Sequence, residues 1–459
     1  MQLSQPAFLK KELSAIFFIA IPIAFAQLCQ MAMGVTDTIL LGKVDKETLA
    51  IGGFTTQLFF TVCVVLQSAL SSAAILIAEY IGSRKISQIS KIYWTTYIFG
   101  LILCIPCYFL LKSTNFILMW TGENPDMIAK SSHFMDILLW GMPPVLVGTG
   151  LIRVVLPAFN ASKILLQITP LTTIINALLN AAFIYGLWGA PKMGLYGSAI
   201  GSTITLWVST ILFIGVTHCK KNLKQYLYPF KIDLSLLLPL MRLGLPICVS
   251  SAAEMLLFLA TSFRAGLLGT DALAAHQIAN SFATFTFMIP LAISQAANVR
   301  VSYWVGAQKP LYAKNSGFLS IGLGSVFMGL IGIIIFIFPK TIVSLFINIH
   351  SVSNQSTIEI AVVILKIVAL FQIVDGMQGV AMGALRGLKD TTIPMIFALI
   401  SYWVIGYTLS GWFAFSLNYK APGLWTGMAI GLAVIAVLAT ARFYYLTYRP
   451  SRIMERALR

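Results

Sequence analysis

Two stretches of the sequence decide the fold: PIAFAQLCQMAMGVTDTILLG at residues 22–42 and PICVSSAAEMLLFLATSFRAG at residues 246–266. Each is apolar over a length that crosses a bilayer, since about 20 helical residues span ~30 Å of hydrocarbon. Each nevertheless carries a carboxylate, Asp37 in the first stretch and Glu254 in the second. A charge at the bilayer centre costs roughly 2.5–3.5 kcal/mol, so such residues usually bind ions, carry protons or face a watery cavity.

Apolar runs of this length recur along the whole chain. Of its 459 residues, 58% are hydrophobic and 10% are charged, whereas about a quarter of the residues in a soluble protein are charged. The runs are continuous and far longer than a barrel strand, so we predict an all-α membrane protein. The twelve predicted transmembrane helices lie at about residues 14–42, 49–78, 92–112, 133–156, 164–188, 194–218, 236–268, 273–300, 316–347, 358–385, 393–417 and 422–447.

The second half of the chain repeats the first. A shift of 224 residues places segment 22–85 on segment 246–309 without a gap, so that Pro22 meets Pro246. Because each half holds an even number of spans, both halves enter the membrane from the same side and form parallel six-helix repeats around a central cleft. We therefore predict three parts: an N-lobe at 1–217, a basic cytoplasmic linker at 218–235, and a C-lobe with a basic cytoplasmic tail at 236–459.

The net charge of +16 indicates membrane orientation rather than binding to nucleic acid. If both termini are cytoplasmic, most of the 31 Lys and Arg residues fall in inner segments, as the positive-inside rule requires. The sequence holds no hydrophilic segment of domain size outside the spans. We therefore expect the protein to act within the lipid bilayer and to have no nucleic-acid partner.

The first candidate site lies in the predicted N-lobe. Asp37 is flanked by two threonines in the first span, and Asn176 and Asn180 share one face of the fifth helix because they are four residues apart. Ser198 and Ser202 in the sixth span are weaker candidates. A carboxyl group with amide neighbours could take up and release a proton or bind a substrate. The alternative is an interhelical hydrogen bond that only stabilises the bundle.

The second candidate site pairs Glu254 in the seventh span with Asp375 in the tenth. Like charges held close together repel, and one proton or monovalent cation shared between the two carboxylates relieves that repulsion. Hard oxygen ligands suit Na+ or H+ rather than a soft metal, so this pair is the expected Na+ site. Gln372 and Gln378 flank Asp375 at three-residue spacings and, with His276, are weaker candidates. The alternative is that each carboxylate pairs with a basic side chain.

Motifs of ATP hydrolysis and of common enzyme chemistry are absent. The sequence contains no G-x-x-x-x-G-K-[ST] phosphate loop, no H-x-x-x-H zinc pair and no G-x-S-x-G elbow. We therefore expect neither an enzyme nor a cofactor, and an ion gradient as the source of energy.

The stretch DGMQGVAMGALRGLKDTTIP at 375–394 resembles the tenth-span signature of the multidrug and toxic compound extrusion (MATE) family, in its NorM-like branch. DALAAHQIA at 271–279 and GVTDT at 34–38 resemble two further family motifs, and the resemblance covers nearly the whole chain. It implies an antiporter of a bacterial inner (plasma) membrane that exports organic cations, often aromatic, in exchange for Na+ or H+.

The resemblance also assigns roles to the candidate residues. It implies that Glu254 and Asp375 take the coupling cation, and that Asp37 takes a proton or the substrate. Relatives in another branch carry an aspartate at the position of Asn180, so their proton mechanism does not transfer directly. Some NorM-like relatives carry a tyrosine where Phe371 stands, so the cation coordination here lacks that hydroxyl.

The resulting expectation is a multidrug efflux antiporter, acting as a monomer, whose two lobes rock between outward-open and inward-open states. One alternative is a lipid-linked saccharide flippase of the same superfamily, which would favour basic residues in the cavity. The other is an ion channel, which the two-lobe repeat disfavours.

Overall fold

The computed structural model describes residues 5–114, 119, 124–349 and 351–449. These residues form helices and no strands, and twelve of the helical segments among them are long and apolar enough to cross a membrane. We label these spans α1–α12 in chain order: Ala7–Gly42, Lys46–Gly82, Ile86–Lys112, Pro125–Val155, Lys163–Tyr185, Leu195–Cys219, Leu234–Leu267, Thr270–Gly306, Pro310–Ile337, Val352–Gly387, Thr392–Ser416 and Lys420–Tyr448. The predicted all-α class and its twelve spans are confirmed.

Glycine and proline set the ends of two spans. α5 stops at Tyr185 because Gly186 takes a left-handed conformation with φ of 76°. α9 was expected to run to residue 347, but it ends at Ile337. Pro339 begins a separate short helix, Pro339–Ser344, because proline has no N–H group to continue the hydrogen-bond ladder.

Two spans contain π-helical turns that the apolar pattern does not predict. They are Pro144–Gly150 in α4, and Ile400–Tyr407 and Trp412–Ser416 in α11. At α11, Arg264 donates from Nη1 to the Tyr407 carbonyl oxygen at 2.5 Å and to Ser410 Oγ at 2.8 Å. The Arg264 guanidinium also lies 3.4 Å from the centre of the Tyr407 ring. Arg264 therefore satisfies backbone and hydroxyl groups where the α11 ladder is irregular.

The described residues pack as two compact units. The central unit is Phe25–Cys248, and the terminal unit comprises the residues up to Ala24 and those from Val249 onward. The boundaries fall inside α1 and α7, each two residues after a proline of the internal repeat, and so they too are 224 residues apart. The predicted lobes at 1–217 and 236–459 rest on the repeat rather than on packing, and they stay a prediction.

Glycines allow neighbouring helices to touch in both units. In the central unit, a Cβ atom on Gly201 of α6 would collide with the Asn180 side chain of α5. In the terminal unit, a Cβ atom on Gly431 of α12 would collide with the Gly406 backbone of α11. Small residues of this kind let membrane helices approach closely.

A buried carboxylate fixes the beginning of α1 within the terminal unit. Glu12 is 1% exposed and accepts hydrogen bonds from Arg300 Nε at 2.8 Å and from Arg300 Nη2 at 2.6 Å. It also accepts from Trp304 Nε1 at 3.1 Å and from Ser316 Oγ at 2.7 Å. The two-pronged contact with an arginine is among the strongest polar contacts in proteins. Glu12 thereby ties α1 to α8 and α9.

Candidate functional site

The amide cluster of the central unit consists of Asp37 of α1, Asn176 and Asn180 of α5, and Ser202 of α6. Asn180 Nδ2 donates to Asp37 Oδ1 at 2.6 Å and lies 3.3 Å from Ser202 Oγ. Asn176 Nδ2 lies 3.4 Å from the same hydroxyl oxygen. All four side chains are buried, with Asp37 at 5% exposure. The structure thus brings together the three residues predicted for this site.

The amide cluster has more acceptors than donors. Among the described residues, the Oδ1 atoms of Asn176 and Asn180 have no hydrogen-bond partner. The Asn180 amide is the single donor that the structure gives to the Asp37 carboxylate within that part of the chain. A bound proton or cation would provide the positively charged partner that these unpaired oxygen atoms lack.

The threonines beside Asp37 take no part in the cluster. Thr36 Oγ1 donates to the Ala32 carbonyl and Thr38 Oγ1 to the Gly34 carbonyl, both at 2.9 Å. Such bonds to the preceding turn occupy the hydroxyl groups within their own helix. Ser198 is buried one turn before the cluster on α6, and its role stays a prediction.

Replacing Gly201 with valine should disrupt the amide cluster. The added side chain would push against Asn180 and displace its amide from Asp37, and overpacking of this kind costs about 1–3 kcal/mol of unfolding free energy. Denaturant unfolding in detergent micelles would measure the loss. The matched control is Gly215→Val on the same helix, where the Cβ position has no atom within 4 Å. Equal destabilisation by both substitutions would contradict the prediction.

The carboxylate pair of the terminal unit consists of Glu254 of α7 and Asp375 of α10. Asp375 is 6% exposed and Glu254 is half-buried. Glu254 and Asp375 lie within electrostatic range of each other, and Arg386 lies within electrostatic range of Glu254. The hydroxyl group of Tyr402 lies in electrostatic range of both carboxylates.

Contacts of α11 explain why Tyr402 lies beside the carboxylate pair. Trp403 Nε1 donates to the Ala253 carbonyl oxygen at 3.2 Å, which fixes α11 next to the turn of α7 that carries Glu254. The Tyr402 hydroxyl accepts a hydrogen bond from Gln378 Nε2 at 2.7 Å. Tyr402 is therefore held between α7 and α10.

The two glutamines near Asp375 bond to different helices. Gln372 Nε2 donates to Thr286 Oγ1 of α8 at 2.8 Å, whereas Gln378 bonds to α11. The Oε1 atoms of both glutamines lack a hydrogen-bond partner within the described ranges. The same ranges contain no group of three or more His, Cys, Asp or Glu side chains that could hold a metal ion. A cation at the carboxylate pair would therefore need oxygen atoms of other residue types.

His276 and Phe371 both pack against Trp425 of α12. The His276 ring centre lies 5.4 Å from that of Trp425, and the Phe371 ring centre lies 6.1 Å from it. His276 Nε2 is 2.8 Å from Ser262 Oγ, so one ring nitrogen is engaged with α7. The roles of His276 and Phe371 in ion binding stay predictions.

Sequence reasoning missed Arg386 and Tyr402. Arg386 follows Asp375 by eleven residues, or three helical turns, and the 3.6-residue period could have placed both on one face of α10. Tyr402 left no such signal, because it is one of several aromatic residues in an apolar span. Only the packing of α11 on α7 and α10 identifies it.

Comparison with known proteins gives matches over most of the chain. The MatE family model matches residues 22–182 and 246–412, two stretches that begin 224 residues apart. The "Probable multidrug resistance protein NorM" of Burkholderia mallei is 42% identical over 426 residues, which is 93% of this chain and 91% of the relative. The "Multidrug resistance protein NorM" of Burkholderia vietnamiensis is 41% identical over 429 residues, which is 94% and 93% of the two chains.

A solved structure shares the fold over nearly the whole length. The eukaryotic MATE transporter AtDTX14 has a TM-score of 0.87 and 17% sequence identity, and the match covers 98% of this chain and 100% of that chain. At this identity the likeness concerns the fold alone.

Proposed function

The chain belongs to the MatE family, in its NorM-like branch, and from that premise we propose that it exports organic cations in exchange for Na+ or H+. Family membership makes it a multidrug efflux transporter, and its twelve spans and bacterial relatives make it a multi-pass bacterial membrane protein. Beyond this, we propose that Na+ or H+ is the coupling ion, that the ion is exchanged for the drug, and that both termini lie in the cytoplasm.

The carboxylate pair is the observation that carries the proposal. Asp375 is buried and Glu254 lies within electrostatic range of it, so a bound monovalent cation would offset the cost of placing two negative charges there. Gln378 Oε1, which has no hydrogen-bond partner among the described residues, and the Tyr402 hydroxyl could complete an oxygen ligand set. Oxygen ligands suit hard cations, so Na+ is the ion that we assign to this site.

The amide cluster provides a second ionisable group in the central unit. Asp37 keeps one strong hydrogen bond, to Asn180, and its charge could attract an organic cation. A proton on the same carboxylate would remove that attraction. Proton and drug would then compete for one negative charge, and each would lower the affinity of the other by the same factor.

The proposed cycle is alternating access. A cation that enters from outside neutralises the carboxylate pair, or a proton neutralises Asp37, and the affinity for the drug falls. The drug leaves to the outside, and the ion-loaded carrier returns and releases its ion inside. Both ions act through the same physical change, which is the loss of buried negative charge.

Ethidium efflux from proteoliposomes tests this function. We expect efflux when an inward Na+ gradient or an inward proton gradient is imposed, and none when both gradients are absent. Protein-free liposomes under the same gradients are the control. Failure of every gradient to drive efflux of any organic cation would reject the antiporter and favour lipid-linked saccharide export. Ion flux without exchange would instead indicate a channel.

A further inference from the structure

The connection between α6 and α7, residues 220–233, is fixed on α3. Trp94 Nε1 donates to the Leu227 carbonyl oxygen at 2.8 Å. Lys91 Nζ lies 3.3 Å from Asp233 Oδ2 in an ion pair. Because these contacts hold the middle and the end of the connection to one helix, the connection presents a defined surface.

Basic side chains cover this surface, and within the described ranges they have no acidic partner in a salt bridge. Six of them are exposed in the connection and just before α3: Arg84, Lys85, Lys220, Lys221, Lys224 and Lys231. In the helix Lys221–Leu227, Leu223 and Leu227 are buried, so its lysines occupy the exposed face. In the part of the chain that the structure describes, none of the six takes part in a salt bridge. Among the residues that the structure describes, no salt bridge therefore compensates their positive charge.

A row of exposed apolar side chains adjoins these lysines. Its members occupy alternate positions at the end of the connection and are between 45% and 63% exposed: Tyr228, Phe230, Ile232 and Leu234. α6 ends at Cys219 and α7 begins at Leu234, so the row lies where the chain meets one face of the membrane. At that depth, apolar and aromatic side chains enter the acyl region while lysine ammonium groups stay among the headgroups.

We propose that residues 220–233, together with Arg84 and Lys85, bind the anionic headgroups of phospholipids. Clusters of four to eight basic residues beside a membrane span attract anionic lipid, and each contributes about a fivefold gain in affinity. A nucleic acid or an acidic peptide would match the charge but would leave the apolar row in water. A lipid matches both features. The inference does not depend on the coupling mechanism proposed above.

Native mass spectrometry of the purified full chain, titrated with phosphatidylglycerol or phosphatidylcholine, tests the lipid surface. The wild type should bind the anionic lipid more tightly, and raised salt should weaken that preference because it screens exposed charges. The variant Lys220→Gln/Lys221→Gln/Lys224→Gln/Lys231→Gln should lose affinity for phosphatidylglycerol by about fivefold for each lysine removed, or on the order of several hundredfold in all. Its affinity for phosphatidylcholine should change little.

A charge-matched control separates the surface from net charge. Lys43→Gln/Lys46→Gln/Lys192→Gln/Lys340→Gln removes the same four charges from exposed lysines elsewhere, and it should bind phosphatidylglycerol like the wild type. Equal binding of the two lipids by the wild type would overturn the proposal. Wild-type affinity for phosphatidylglycerol in the variant that lacks the four lysines of the connection would overturn it as well. So would an equal loss of that affinity in the control variant. Tighter binding of heparin than of phosphatidylglycerol would assign the surface to a soluble polyanion instead.

Discussion

Replacing Asp375 with asparagine should abolish Na+-driven efflux while leaving the protein folded. Loss of an outer-shell partner of a metal ligand alone lowers metal affinity by about 10- to 100-fold, and loss of a carboxylate ligand should cost more. Asparagine has the same shape and removes the cost of burying a negative charge near Glu254, so the unfolding temperature should stay the same or rise. Ethidium efflux and thermal unfolding of the same preparation would measure both effects.

The matched control for Asp375 is Glu359→Gln. Glu359 lies on the same helix, α10, but its side chain is exposed and accepts a hydrogen bond from Gln355 at 3.1 Å. Its neutralisation should leave efflux unchanged. Wild-type Na+-driven efflux in Asp375→Asn would remove the carboxylate pair from the mechanism. Efflux driven by protons alone and lost in Asp37→Asn would move the coupling to the amide cluster.

Replacing Glu12 with alanine should give the largest loss of stability among single polar substitutions in the terminal unit. Glu12 is buried and accepts four hydrogen bonds, two of them from Arg300. Removing one partner of a buried ion pair leaves an uncompensated charge and costs about 3–5 kcal/mol. Equilibrium unfolding in mixed micelles with a rising fraction of SDS would measure the difference in unfolding free energy.

A double substitution distinguishes the lost charge pair from lost packing. Glu12→Leu combined with Arg300→Met replaces both charges with apolar groups, and such a swap is often neutral. The double variant should therefore be more stable than Glu12→Ala. The neighbouring exposed Lys11→Ala is the control and should change the unfolding free energy by less than about 0.5 kcal/mol. Equal losses in Glu12→Ala and Lys11→Ala would show that the ion pair contributes no stability.

The twelve spans could be predicted because bilayer thickness imposes a length that apolar composition alone reveals. The end of α9 could have been read from Pro339, which cannot continue a helix. The π-helical turns of α11 could not be predicted from the sequence, because a shift in the backbone hydrogen-bond register does not change the apolar composition of the span. Instead they depend on tertiary contacts such as the one from Arg264.

Candidate residues could be found where a charge is costly, but their partners could not. Asp37 and Asn180 stand out as polar groups in apolar helices, and the structure joins them by a hydrogen bond. Their functional roles stay predictions. Glu12 escaped notice because it follows two lysines at the edge of the first apolar run and so appears solvated. Its partner Arg300 lies 288 residues away, a pairing that only tertiary structure reveals.

The position of the unit boundaries has a consequence for splitting the chain. The residues up to Ala24 pack with the terminal unit, and their counterparts in the repeat, 225–248, pack with the central unit. The first segment of each half of the duplication therefore belongs to the unit formed mainly by the other half. The arrangement is that of a domain-swapped dimer joined into one polypeptide. Severing the linker would yield two fragments, and neither would contain a whole unit. The two fragments would have to fold together, whereas the single uninterrupted stretch Phe25–Cys248 contains one unit entire.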